Sequence, residues 1–245
     1  MKKGIYLLPN LFTTGNLLCG FSSIVAAINE QYTRAAIAIL IAVCLDYLDG
    51  KVARMTNSSS AFGLEYDSLA DLLSFGMAPG LLLYAWTLQQ FGHFGWLAAF
   101  LFVICGAVRL ARFNVQATDT QQYTFTGLPI PAAAGLLASA VLLCRQLYGA
   151  FDASEMDRPL LIVLIVYALA FLMISNFKYR SFKRIQVKPP WPLHCLIGGV
   201  VALTLLIFMP EVSLFLIFLG YALSGPVELL IRRRKPKEEV IPAEQ

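Results

Sequence analysis

Four aspartates, Asp46, Asp49, Asp67 and Asp71, fall in the stretch DYLDGKVARMTNSSSAFGLEYDSLAD. Spacings of three and four residues put Asp46 with Asp49 on one helical face and Asp67 with Asp71 on another. The polar turn MTNSSSAFG between the pairs folds two helices antiparallel, so the four carboxylates can converge on one pocket. Left alone they repel, and two or more would take up protons. A divalent cation reverses that balance: Mg2+ and Mn2+ take oxygen ligands and complete their shells with waters and substrate phosphates. Four carboxylates can hold two such ions about 3.5–4 Å apart, the arrangement suited to in-line displacement at phosphorus. Gly50, Ala53 and Gly63 let a ligand or a helix approach the backbone closely. Arg54 adds a guanidinium able to pair with a phosphate oxygen or with one aspartate. The plainer reading, acids in solvated helix ends with Asp67 and Asp71 in a first turn, suits either pair alone. It does not account for both pairs together with the glycines and Arg54.

The elements that must position these residues are membrane helices. The chain of 245 residues is 58% hydrophobic and 14% charged, with a mean hydropathy of +0.68. These values exclude an ordinary soluble domain. Apolar runs of roughly 20 residues cross a bilayer as helices. The expected fold is an all-α membrane protein of about eight transmembrane helices, at 11–29, 34–54, 63–88, 95–114, 129–149, 159–177, 192–209 and 212–231. No Gly/Ser- or Pro-rich linker divides it, so residues 1–245 form a single polytopic domain. Residues 46–71 carry the catalytic motif, and 232–245 form a basic cytoplasmic tail lying on anionic lipid.

An even helix count puts both termini on one side. All lysines and arginines except Arg34, Arg145 and Arg158 then fall on that side, and an odd count would scramble the split. The positive-inside bias makes that side cytoplasmic, so both termini and the four aspartates face the cytoplasm. The start, MKKGIYLLPNLFTTGNLL, has the charge pattern of a secretory signal. Pro9, Asn10 and the polar residues from Thr13 to Asn16 interrupt its apolar core, which favours a retained first helix. The five cysteines lie in or beside apolar runs without a CxxC and read as packing residues outside any disulfide framework. Two distant histidines give no zinc-ligand spacing. Trp86, Trp96 and Trp191 near segment ends read as interfacial anchors.

Asp46, Asp49, Gly50, Ala53, Arg54, Gly63, Asp67 and Asp71, at this fixed spacing, match the signature of the CDP-alcohol phosphotransferase family without departure. The resemblance implies a metal-dependent membrane enzyme in which an alcohol attacks the diphosphate of a CDP-activated lipid and releases CMP. It implies that Asp46, Asp49, Asp67 and Asp71 surround two divalent cations, Mg2+ or Mn2+, and that Asp71 is the general base. It assigns Gly50, Ala53 and Gly63 to the cytidine nucleotide, and Arg54 to phosphate or the acidic cluster. PNLFTTGNLLCGFSSI, EYDSLADLLSFGMAPG, RLARFN, FTGLPIPAAAG and SNFKYRSFK resemble blocks of the family's serine-using integral-membrane branch. The reaction so implied is CDP-diacylglycerol plus L-serine giving phosphatidylserine and CMP, in a membrane-lipid environment, by a homodimer, with no nucleic-acid partner. In a prokaryote the enzyme would sit in the plasma membrane with its active site facing the cytoplasm.

Further candidates come from the residues themselves. Asn10, Thr13 and Asn16, three apart on one face of the first helix, could line the nucleotide pocket or make interhelical hydrogen bonds. Serine carries a carboxylate, so Arg109, Arg112, Asn114, Lys178 and Lys183 are acceptor candidates; topology and anionic headgroups already require basic residues on that side. The acidic cluster would equally serve glycerol 3-phosphate, inositol, inositol phosphate or an archaeal-type ether CDP-lipid. A prenyltransferase would need a second acidic motif, whereas Asp119, Asp152 and Asp157 are isolated. A cation transporter would need acids near the bilayer midplane, and the later segments lack them.

Overall fold

The computed structural model describes residues 7–56, 60–117, 124–148, 159–180 and 193–234. Helix α1 (Leu7–Ile28) carries Pro9 in its first turn, where the missing N–H costs no helical hydrogen bond. A tight turn with Glu30 at φ 59° reverses the chain into α2 (Tyr32–Thr56). Ser60 caps α3 (Ala61–Asp71): its Oγ accepts from the Gly63 N–H at 3.0 Å, satisfying one of the donors a helix start leaves free.

After Asp71 the helix widens into a π-helical turn, Leu72–Met77, before continuing as α4 (Ala78–Trp86). A short 3₁₀ turn leads to α5 (His93–Ala117). Helices α6 (Ile130–Tyr148), α7 (Pro159–Ile174), α8 (Leu193–Phe208) and α9 (Pro210–Arg234) follow. Counting α3, the π turn and α4 as one rod, eight helical rods among the described residues coincide with the eight predicted segments.

Five of them are long and apolar enough to cross a membrane: Asn10–Ile28, Ala61–Trp86, His93–Val115, Ile130–Leu147 and Pro210–Leu229. The chain is therefore an all-α, multi-pass membrane protein. The other three of the eight expected segments are shorter or more charged. Helix α2 carries Arg34, Asp46, Asp49, Lys51 and Arg54, and Leu160–Ile174 and Gly198–Phe208 are shorter apolar helices. The outer faces present Leu18, Phe21, Phe94, Phe100, Leu164 and Phe171, as surfaces in contact with lipid should. Inside, Ile39, Phe75, Leu82, Phe102, Leu128, Val141 and Val166 form the packed core.

Helix α1 packs along α2, and against α3, the π turn and α4. Gly20 is what permits the close approach. A Cβ there would lie 2.3 Å from Ser74 Oγ and 2.7 Å from Ser74 Cα, and the backbone atom cannot rotate away. Ser74 Oγ donates to the Asn16 carbonyl at 2.9 Å across the same contact. Gly20→Ala should therefore destabilise the fold by the roughly 1–3 kcal/mol typical of overpacking. Gly199→Ala on α8, where nothing lies within 4 Å, should instead hold or raise the melting temperature in detergent, because alanine favours a helix interior.

Two of the quoted blocks, FTGLPIPAAAG and SNFKYRSFK, are joined. Strand β1 (Thr124–Thr126) pairs antiparallel with β2 (Lys178–Arg180), Phe125 opposite Tyr179. Gly127 turns out of the ribbon at φ 82°, and a Cβ there would meet the Met173 carbonyl at 2.3 Å, so only glycine fits. Tyr179 is buried and donates its hydroxyl to the Ala222 carbonyl of α9 at 3.1 Å. Burial, then the neighbouring Tyr221, pushes its phenol up to about 12, so it remains a protonated donor. Trp86, expected at an interface, is buried in the core, whereas Trp96 is exposed and stacks on Phe100 at 5.3 Å. Trp191 lies outside the described residues. Cys19, Cys44, Cys105 and Cys144 are free thiols.

Candidate active site

The end of α2 carries Asp46 and Asp49, and α3 carries Asp67 and Asp71. The antiparallel arrangement brings three of the four together. Asp46, Asp67 and Asp71 each offer a carboxylate oxygen, and the three oxygens lie within 4.8 Å of one another. Asp71 is buried, with its Oδ1 accepting from Asn16 Nδ2 at 3.1 Å. Asp67 Oδ1 is buried without a hydrogen-bond partner, as is Asn16 Oδ1. Asp49 is buried too, but its Oδ2 accepts from the Thr13 hydroxyl. The expected ring of four is thus a triad plus Asp49, whose charge still acts on Asp67.

These residues fit a hard divalent cation. The donors are all carboxylate oxygens, one of them a buried acceptor with nothing donating to it. Three carboxylates meet a cavity wall whose one cationic side chain among the described residues is Arg109. A buried carboxylate left without a partner is costly, and an oxygen-seeking ion removes that cost.

The π turn begins immediately after Asp71. It inserts an extra residue into the helical repeat, a feature frequent at functional sites. Its placement lets the rod carry Asp67 and Asp71 toward α2 and then turn Ser74, Phe75 and Gly76, all buried, into the core. Neither propensity nor hydrophobic spacing signals this turn.

A cavity of about 220 Å3 opens beside the triad. Its polar lining is Asp46, Asp67, Asp71, Ser68, Arg109 and Asn114, with Leu64, Leu110, Phe113 and Pro131 completing the wall. Arg109 on α5 is buried, and its Nε has no hydrogen-bond partner. Its positive charge acts on Asp71 and on the Tyr221 hydroxyl of α9. Asn114 donates to Ser68 Oγ at 2.9 Å, a contact that fixes the cavity rim. Ser68 is a site residue that the sequence reading misses; its place one residue after Asp67 is the only signal pointing to it.

The other candidates divide. Arg112 does not line this cavity; it is exposed and donates to Asn176 Oδ1 at 2.9 Å. Lys178 belongs to the ribbon, and its side chain, like all of Lys183, lies outside the described residues. The Arg54 side chain lies outside them as well. Gly50 and Ala53 are half-buried on α2. Gly63 presents its bare Cα toward α1, where a Cβ would lie 3.7 Å from Asn10 Oδ1. Of the stripe on α1, Thr13 and Asn16 are buried against carboxylates and Asn10 is half-buried near Gly63.

The family model of CDP-alcohol phosphatidyltransferases matches residues 6–174. The chain is 39% identical over 227 residues to a CDP-diacylglycerol–serine O-phosphatidyltransferase of Helicobacter pylori, covering 92% of both chains. It is 34% identical over 177 residues to the protein of that name from Bacillus subtilis, covering 72% of this chain and 92% of the relative. An archaetidylserine synthase of Methanothermobacter thermautotrophicus is 38% identical over 174 residues, 70% of this chain and 69% of its own.

Proposed function

The chain belongs to the CDP-alcohol phosphatidyltransferase family, and on that premise we propose that it transfers the phosphatidyl group of CDP-diacylglycerol to L-serine, giving phosphatidylserine and CMP. The observation that carries the reading is the convergence of three carboxylates and one buried arginine on a single cavity. Serine is common to the names of the bacterial and archaeal relatives, while the lipid differs. The acceptor is therefore the part of the reading that the relatives support most directly.

Asp46, Asp67 and Asp71 would hold divalent cation, with Asp49 completing a two-ion set. When bound, Mg2+ or Mn2+ would neutralise the diphosphate and favour departure of CMP. The chain's own residues do the rest. Asn16 fixes one Asp71 oxygen, leaving the other to take the proton of the serine hydroxyl. The serine oxygen then forms its bond to the phosphorus that carries diacylglycerol, and the bond from that phosphorus to the CMP phosphate oxygen breaks. Arg109 is the group for the serine carboxylate: it is charged, buried and has an unspent donor. Asn10, Thr13, Gly50, Ala53, Arg54 and Gly63 would border the nucleotide. The lysine and arginine distribution supports eight crossings with the site and both termini on the cytoplasmic side.

The test is CMP release from CDP-diacylglycerol by the purified chain with each acceptor in turn. Serine should support turnover, while glycerol 3-phosphate, inositol and inositol phosphate should not. Equal CMP release with one of those would overturn the assignment. Arg109→Gln should raise the KM for serine about ten-fold or more, the cost of losing a charged hydrogen bond. Its half-saturating Mn2+ concentration should stay near wild type; a change in metal demand with serine KM constant would move Arg109 to the metal.

A further inference from the structure

The bundle has a second polar concavity, at the end opposite the carboxylates. A groove of about 370 Å3 lies between the α1–α2 turn and the end of α6, lined by Glu30, Gln31, Tyr32, Thr33, Arg34 and Arg145. Helix direction fixes its location. Asp46 lies near the C-terminal end of α2 and Arg34 near its start; Pro131 opens α6 at the catalytic cavity and Arg145 ends it here. The two sites are therefore separated by twelve to fourteen residues of helix, roughly 18–21 Å at 1.5 Å per residue.

Three basic residues in the chain depart from the charge bias that places the others on the catalytic side: Arg34, Arg145 and Arg158. Two of these three meet in this groove. That pairing points to a local task, because the bias disfavours arginines at this end. Among the described residues neither guanidinium is consumed by the protein. Arg34 donates to Gln31 Oε1 at 2.8 Å. Arg145 lies over the Tyr32 ring, 5.9 Å from its centroid, and makes no hydrogen bond among the described residues. No ion pair joins Glu30 to either arginine among those residues. Tyr32 itself is held by its hydroxyl on the Ala85 carbonyl at 3.1 Å, so the platform beneath Arg145 is fixed. Each guanidinium offers five donors in a planar fork suited to phosphate oxygens.

We propose that this groove holds the phosphate of an anionic membrane phospholipid in the leaflet opposite the catalytic site. Arg34 and Arg145 supply the donors. Among the described residues Glu30 offsets one of the two positive charges, leaving a single positive charge in the groove. That matches the single negative charge of a phosphodiester better than the double charge of a free phosphate or a phosphomonoester. The setting suits a lipid: the groove lies at a helix-end level of the bundle, and exposed Ile28 and Leu147 flank it where acyl chains would run. The phospholipid would tie the α1–α2 turn to α6 without taking part in the chemistry.

The experiment is thermal unfolding of the full chain in detergent, titrated with phosphatidylglycerol, phosphatidylcholine or sodium phosphate. For wild type, phosphatidylglycerol should raise the melting temperature at concentrations where the other two have no effect. Its half-maximal concentration should rise about five-fold for each guanidinium removed, in Arg34→Gln, Arg145→Gln and the double variant. CMP release by these variants should match wild type. Arg34→Gln alone suffices if loss of the Arg145–Tyr32 contact prevents folding, because Arg34 is exposed. A phosphatidylglycerol response unchanged in Arg34→Gln, or reproduced by sodium phosphate, would overturn the proposal. The readout is independent of serine transfer, so failure of one reading leaves the other standing.

Discussion

Asp71→Asn should release CMP at least about a hundred-fold more slowly than wild type while still binding CDP-diacylglycerol. A positioned general base contributes about 10²–10⁴-fold, and asparagine keeps the shape of the side chain while losing the basic oxygen. Asp71 is the aspartate best placed for the role. It is buried at the cavity, one oxygen is oriented by Asn16 at 3.1 Å, and it sits within the triad. Single-turnover CMP release at saturating metal separates the proton-transfer step from a defect in loading the ion. Full activity in this variant would remove Asp71 from the proton path. Asn16→Ala should give a smaller loss of the same kind, because it frees the orientation of Asp71 without removing the base.

Asp67→Asn should act instead on metal demand. Its Oδ1 is the buried carboxylate oxygen with no partner, and it lies within reach of the charges of Asp49 and Asp71. An ion bound there would relieve more repulsion through Asp67 than through a carboxylate at the edge. Treating the wild type with a chelator should abolish CMP release, and Mg2+ or Mn2+ should restore it. The half-saturating Mn2+ concentration should rise in Asp67→Asn by at least the roughly 10–100-fold that losing even an outer partner costs a metal site. Asp49→Asn should shift it less, because Asp49 Oδ2 is already engaged by Thr13. A superimposable metal titration for Asp67→Asn and wild type would show that Asp67 is not a ligand.

Much of this site is legible in the amino-acid sequence. Spacings of three and four determine which aspartates share a face, and the polar turn between them sets the antiparallel pairing. Apolar run lengths locate the helical rods, because burial in lipid leaves helices as the simplest way to satisfy the backbone. What escapes the sequence depends on contacts between distant segments. Thr13 engages Asp49 across an interhelical contact, which no local pattern encodes. Arg109 and Arg112 sit three apart, as one face would require, yet only Arg109 reaches the cavity; Arg112 is drawn to Asn176 at the end of α7. The π turn changes the phase of the rod after Asp71, so periodicity counted through Leu72–Met77 misplaces faces beyond it. The β1–β2 ribbon joins segments about fifty residues apart through strands of three residues each, too short to show an alternating pattern.

The α9 contacts carry a related lesson. The family model ends at residue 174, yet Tyr179 reaches past that point to hold Ala222, and Tyr221 acts on Arg109. The last helix therefore lies within electrostatic reach of Arg109 although its sequence carries no motif. Its small-residue position at Gly225, where a Cβ would meet the Tyr179 ring at 2.5 Å, is what admits the tyrosine.

The proposed chemistry requires an ion seated among Asp46, Asp67 and Asp71. Anomalous diffraction from crystals of the active chain grown with Mn2+ and CDP-diacylglycerol tests this most directly. A manganese peak bonded to oxygens of all three carboxylates and to the diphosphate is the expected result. Diphosphate bound in the cavity of crystals that turn over in Mn2+, with no manganese among those carboxylates, would contradict it.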